Sequence, residues 1–103
     1  MQNTPKQYGG YVYIMTNKPM GTLYIGVTSN LAKRVQEHKS GKYPDCFTNK
    51  YDCRTLVWFN KYSNIKDAIA FETRVKGWKR NWKLRLIIDM NPDWKDLSGV
   101  LLY

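Results

Sequence analysis

This sequence predicts a mixed α/β domain with a small sheet, its elements in the order ββαβαα. Three observations carry that prediction. Two short runs rich in β-branched and aromatic residues lie on either side of a Pro/Gly turn. Later segments repeat their apolar residues at helical spacing, two of them behind Ser or Asn caps. The chain is 103 residues long, enough for one core and too short for two. No dinucleotide fingerprint, P-loop or crossover pattern points to a parallel sheet.

The elements follow in order. Residues 1–9 are polar and expected to fray. Tyr11–Thr16 (YVYIMT) and Thr22–Val27 (TLYIGV) read as strands. Asn17, Pro19 and Gly21 supply the turn between them, so the two pair as an antiparallel hairpin. A turn centred between Lys18 and Pro19 sets Thr16 opposite Gly21, Tyr13 opposite Tyr24 and Tyr11 opposite Gly26. Residues 30–40 form a helix capped by Ser29 or Asn30 and stopped by Gly41. Residues 42–53 read as a loop and Arg54–Tyr62 as a third strand. Ser63 or Asn64 caps a helix running to Trp78, and a further helix runs from Arg80 to Met90, where Asn91-Pro92 ends it. The tail DWKDLSGVLLY packs back as a short turn and an extended segment. The domain is expected over residues 10–97, with 98–103 as a tail.

Composition narrows the function. Seventeen Lys and Arg against eight Asp and Glu leave a formal charge of +9, which attracts polyanions. Nucleic acid, DNA or RNA, is the default partner. The stretch Glu72–Arg85 holds six basic residues (Arg74, Lys76, Lys79, Arg80, Lys83, Arg85) with Trp78 and Trp82 interleaved, a pattern suited to phosphate contacts and base stacking or to a solvated helix with anchored tryptophans. Exposed aromatics such as Trp58 and Trp94 allow a protein scaffold as a third reading. No apolar run is long enough to span a bilayer, and the opening MQNTPKQYGG lacks the apolar stretch of a secretory leader. The expectation is a cytoplasmic protein without membrane contact or small-molecule cofactor, acting as a monomer or weak homodimer. Cys46 and Cys53 fit a reducing compartment better than a disulfide, and the lone histidine, His38, makes a zinc site improbable.

Polar chemistry then falls where apolar residues are expected. Strand alternation puts Val12, Ile14, Leu23, Ile25 and Val27 on one face. The other face carries Tyr11, Tyr13, Tyr24 and a gap at Gly26, read either as a tyrosine pair supporting the ladder or as space for a substrate. At about 100° per residue, His38 shares the stripe of Leu31 and Val35, with Arg34 at its edge. They are a snorkelling arginine and a core histidine, or the wall of a polar cleft. Glu72 falls within the stripe of Ile65, Ala68 and Ile69. Its charge must be offset by an ion pair with Arg34 or Lys76, or by a magnesium ion that also takes water and a substrate phosphate. A base, a cation beside phosphate and a metal are what phosphodiester hydrolysis needs.

These residues resemble the GIY-YIG nuclease superfamily, in its small single-domain, excinuclease-like branch. Tyr11-Val12-Tyr13 stands where that family has Gly-Ile-Tyr, and Tyr24-Ile25-Gly26 matches its Tyr-Ile-Gly outright. TSNLAKRVQEHKSG places Arg34 and His38 at the family's helix positions, and DAIAFETRVKGWKR puts Glu72 at its metal-binding glutamate. The resemblance runs from Gly10 to Leu97 and implies a three-stranded antiparallel sheet flanked by helices. It implies an endonuclease with one-step hydrolysis to 5′-phosphate and 3′-hydroxyl ends; the first hypothesis is that it acts on DNA, in branched, nicked or damaged forms. Tyr24 is then the general base or positions the water, with help from His38. Arg34 faces the scissile phosphate, Tyr13 orients water or phosphate, and Glu72 ligates one Mg2+ or Mn2+ ion. A phenol of ordinary pKa about 10 is a poor base at neutral pH, so either its phenolate is stabilised or the water loses its proton through His38.

The sequence departs from the family pattern in two places and matches a third only by a candidate. Tyr11 replaces the leading glycine, Val27 stands where some branches have lysine, and Asn81 is the candidate for an asparagine that braces the site elsewhere. With no appended binding domain expected, affinity is assigned to Arg74, Lys76, Lys79, Arg80 and Lys83, and close approach of the strand to Gly26. A non-catalytic nucleic-acid-binding module on the same fold is the competing reading.

Overall fold

A computed structural model describes residues 9–42 and 47–102 of the chain. Its elements are β1 (Gly10–Thr16), β2 (Leu23–Thr28), α1 (Leu31–Ser40), α2 (Phe47–Lys50), β3 (Thr55–Tyr62), α3 (Ile65–Lys76), α4 (Arg80–Met90) and a terminal 3-10 helix (Leu97–Leu102). The strands form one antiparallel sheet in the order β2-β1-β3. The central strand β1 is buried along nearly its whole length, which suits its run of Val, Tyr, Ile and Met.

The hairpin register differs from the expected one. Tyr13 lies opposite Gly26, Met15 opposite Tyr24 and Tyr11 opposite Thr28. The turn is centred one residue later, between Pro19 and Met20. The Gly21 N–H donates to the Lys18 carbonyl at 2.9 Å, and Met20 takes the left-handed φ of 60° that this turn requires. Asn17 Oδ1 accepts the Thr22 N–H at 2.9 Å, and Thr16 Oγ1 lies 2.8 Å from both the Lys18 and the Thr22 carbonyls. Moving the centre by one residue moves every partner by two, so the faces are preserved while the pairs change.

The sheet divides two layers. On one face Val12, Ile14, Ile25, Val57 and Trp58 pack with Ala68 and Val75 of α3 and Ile87 of α4. On the other, Tyr13, Met15 and Leu56 pack with Leu31 and Val35 of α1 and with Cys53, and Leu97 and Leu101 of the terminal helix lie against them. A bulge lets β3 serve both faces: Ile14 pairs with Trp58 but Met15 with Leu56, leaving Val57 as the extra residue. Trp58 is therefore buried against Phe71 rather than exposed for a partner, and Trp94 is half-buried.

Other differences are local. The stretch expected as a loop contains α2, the second long helix stops at Lys76 rather than Trp78, and the tail forms a 3-10 helix instead of an extended segment. Burial, then the Asp52 charge, pushes the Cys53 thiol up to about 11, which keeps it protonated. Cys46 and the first eight residues lie outside the described residues. Among the described residues no helix is long and apolar enough to cross a membrane.

Candidate active site

α1 sets two of the polar side chains because its ends are fixed. Asn30 caps it, its side chain accepting the Lys33 N–H at 3.2 Å. Gly41, at φ 68°, ends it in a left-handed turn, with its N–H on the His38 carbonyl and the Lys42 N–H on the Glu37 carbonyl. Arg54 then ties this end to the rest of the layer. Its guanidinium donates to the His38 and Lys39 carbonyls at 3.0 and 2.8 Å and to Asn49 Oδ1 of α2 at 2.6 Å.

His38 thereby reaches the sheet, and its ring is held from both sides. Nε2 lies 2.9 Å from the Tyr13 hydroxyl and Nδ1 lies 2.7 Å from Thr48 Oγ1 of α2. His38 is only 5% exposed and Tyr13 is fully buried. Burial, reinforced by the Arg34 charge, lowers the His38 pKa, so the ring is neutral and donates through one nitrogen while accepting through the other. Burial, then the neighbouring Tyr24, raises the pKa of Tyr13, against a counterpull from Arg34. Tyr13 is thus a neutral phenol in a Thr48–His38–Tyr13 chain.

Tyr24 completes the cluster from β2. Its ring centroid lies 6.1 Å from Tyr13 and 5.4 Å from His38. It is half-buried, and so nearer to solvent than Tyr13. Phe47 of α2 covers one side at 5.8 Å. Gly26 is buried, and the gap it leaves is not open to a substrate strand: a Cβ there would meet the Tyr13 hydroxyl at 2.6 Å and Tyr24 Cε2 at 2.9 Å. Register explains this, since Tyr13 lies directly across from Gly26 and lays its own ring in the space.

Arg34 projects from α1 with its side chain 38% exposed. It bonds Glu37 Oε1 at 3.3 Å and acts on the Tyr13 hydroxyl as both charge and hydrogen-bond donor. Burial alone would raise the Glu37 pKa, but the Lys42 and Arg34 bonds hold it below the usual carboxylate range. A groove of about 300 Å3 beside Arg34 is lined by Thr28, Asn30, Lys33 and Glu37 among others.

Glu72 comes from the other layer. It sits on α3, packed across β1 and β2, with its side chain 12% exposed and its carboxylate 2.7 Å from Lys76 Nζ. Of the two ion pairs weighed from sequence, the Lys76 pair is the one formed. The structure therefore gathers Tyr13, Tyr24, Arg34 and His38, and sets Glu72 on the helix behind the sheet. No cluster of three or more His, Cys, Asp or Glu residues that could hold a metal occurs among the described residues. A single partly accessible carboxylate does fit a hard cation that keeps most of its water and takes a substrate oxygen.

The sequence model of the GIY-YIG catalytic domain matches residues 9–85. The chain belongs to the GIY-YIG nuclease family. Within it, the chain is 37% identical over 83 residues to a UPF0213 protein of Syntrophus aciditrophicus, spanning 81% of this chain and 93% of that one. It is 39% identical over 80 residues to a UPF0213 protein of Clostridium perfringens, covering 75% of this chain and 81% of that relative. The solution structure of a UPF0213 protein from Bacillus halodurans superposes with a TM-score of 0.54 at 25% identity, over 89% of this chain and 96% of that one. This GIY-YIG domain has the three-stranded antiparallel sheet and flanking helices expected of it.

The basic stretch of the GIY-YIG domain divides. Arg80 donates at 2.6 Å to the Met20 and Gly21 carbonyls, Lys83 donates to the Lys76 carbonyl, and Lys76 pairs with Glu72. Arg74, Lys79 and Arg85 are exposed. Trp78 is half-buried in the core layer, whereas Trp82 is 62% exposed. Asn81 is exposed on α4, beside Trp82 and Met20, away from the tyrosine cluster. Two positioning residues escaped the sequence reading, Thr48 and Arg54. Neither carries a local signal, because their partners lie 10 and 16 residues away and only the fold brings them together.

Proposed function

We propose that this GIY-YIG protein is a divalent-metal-dependent endonuclease that hydrolyses DNA phosphodiester bonds, with branched, nicked or damaged DNA as its targets. The observation that carries this reading is the convergence of Tyr13, Tyr24, Arg34 and His38 where α1 meets the sheet. Tyr24, the half-buried phenol, takes the place beside the attacking water. Tyr13, kept neutral by burial, holds His38 and presents its hydroxyl to water or phosphate. The attacking water gives its proton to the Tyr13 oxygen as Tyr13 gives its own to His38 Nε2, so the phenol stays neutral and the ring takes the charge, while Nδ1–H stays on Thr48 Oγ1 and fixes the ring. Arg34 neutralises the phosphate as its charge grows. Water adds to phosphorus, the bond to the 3′ oxygen breaks, and that oxygen takes a proton from solvent water and leaves as a hydroxyl. Glu72 would hold the Mg2+ or Mn2+ ion, which when bound stabilises charge on the phosphate oxygens.

One observation favours the competing reading, a nucleic-acid-binding module without turnover: the Glu72 carboxylate is already paired with Lys76 on the far layer. A nicking assay on supercoiled, nicked and branched DNA with Mg2+ or Mn2+ decides between them. Wild type should cleave, while Glu72→Gln and Tyr24→Phe should lose cleavage and keep binding. Cleavage that survives Glu72→Gln assigns the metal elsewhere, and binding without product at any metal concentration leaves the binding module standing.

A further inference from the structure

The affinity expected from the stretch 74–85 has a geometric difficulty. α3 and α4 back the sheet face opposite the tyrosine cluster. Three of its six cations are also engaged inside the fold: Arg80 on the Met20–Gly21 turn, Lys83 on the Lys76 carbonyl and Lys76 on Glu72. A strand held at Arg34 needs cations on the α1 side.

The β register supplies them. On the tyrosine face, successive rows across the sheet read Phe59–Tyr13–Gly26 and then Lys61–Tyr11–Thr28. Tyr11 lies two residues from Tyr13 along β1, about 6.8 Å away. The Lys61 ammonium rests over the Tyr11 ring, 6.0 Å from its centroid, which holds it towards this face. Tyr11 and Lys61 line a groove of about 720 Å3 that ends at Ser29 and Asn30. Those two residues also line the groove of about 300 Å3 that holds Lys33 and Arg34. The two grooves therefore adjoin at Ser29 and Asn30. The acid along them, Glu37, is bonded to Arg34 and Lys42 at 3.3 Å each, so it adds little repulsion.

From this we propose that the adjoining grooves from Arg34 through Lys33 and Asn30 to Tyr11 and Lys61 are the track of the DNA strand, with Lys33 and Lys61 as its phosphate contacts. The proposal rests on the nuclease reading for its substrate, but not for its test. Both lysines are exposed, so their replacement leaves the core untouched.

The experiment measures binding of a fluorescein-labelled DNA duplex by anisotropy in EDTA, as a function of salt. It compares wild type, Lys33→Ala/Lys61→Ala and Lys79→Ala/Arg85→Ala. Loss of two phosphate contacts should flatten the log–log salt slope of the groove pair by about 1.8, with a smaller change for the α4 pair. An equal or larger change in the α4 pair, or none in either, overturns the track. The nuclease reading is judged separately. Nicking by wild type with no binding defect in the groove pair sinks the track alone; groove-dependent binding without nicking sinks the hydrolase alone.

Discussion

Gly26 and His38 show how single residues set this site. Gly26 lacks a side chain because Tyr13 occupies the space, with its hydroxyl 2.6 Å from where a Cβ would stand. Tyr13 is fully buried and cannot swing away without breaking its bond to His38. Gly26→Ala should therefore cost about 1–3 kcal/mol in chemical denaturation, as overpacking does, and should remove cleavage as well. A variant of wild-type stability would mean that the phenol is looser than its burial indicates. His38 carries a pH signature. Burial and then Arg34 depress its pKa, so as pH falls below the ordinary imidazole value of 6.5 the unfolded chain binds the proton before the folded one. Its contribution to stability is complete above that value and is lost as pH falls. Melting temperatures measured between about pH 7.5 and about pH 5 should drop more steeply for wild type than for His38→Gln. Parallel profiles would show that His38 titrates freely.

At the scale of elements, the ends matter more than the middles. Asn91 stops α4 and does more than precede a proline. Its Nδ2 donates to the Val57 carbonyl at 3.1 Å and to the Lys95 carbonyl at 2.8 Å, while Oδ1 accepts the Lys95 N–H at 3.0 Å. Asn91→Ala should cost about 1–3 kcal/mol, since it strands a buried carbonyl on β3, and a shift of the urea midpoint would report it. No shift would mean water replaces those bonds. Strand alternation and helix caps are local, which is why β1, β3 and the starts of α1 and α3 were legible in the sequence. Hairpin register was not, because it depends on Thr16 and Asn17 bonding across the turn. α2 was not either, since four residues are too few for any periodicity to emerge. Of the site, the stripe holding Arg34 and His38 could be read directly. The filling of the Gly26 gap and the roles of Thr48 and Arg54 could not, because they arise only when distant segments meet.

Across the whole molecule, the sheet keeps two kinds of chemistry on separate faces. The tyrosines, His38 and Arg34 belong to the α1 layer, and Glu72 to the α3 layer, which packs across β1 and the edge strand β2. On the proposed reading, Lys76 decides whether Glu72 is available to a metal. The Glu72 side chain is only 12% exposed and that of Lys76 54%, so the pair is a larger barrier to a divalent ion than the ~0.3–0.5 kcal/mol of a fully exposed i,i+4 pair. On the metal-dependent reading, the ammonium competes with the ion for the same carboxylate. Lys76→Met should leave the fold intact and lower the Mg2+ concentration needed for half-maximal nicking several-fold. In a Glu72→Gln background the same substitution should do nothing, because the competition is over one carboxylate. A metal requirement that is unchanged or raised by Lys76→Met would remove Glu72 from the metal site and return the chain to a cationic DNA binder.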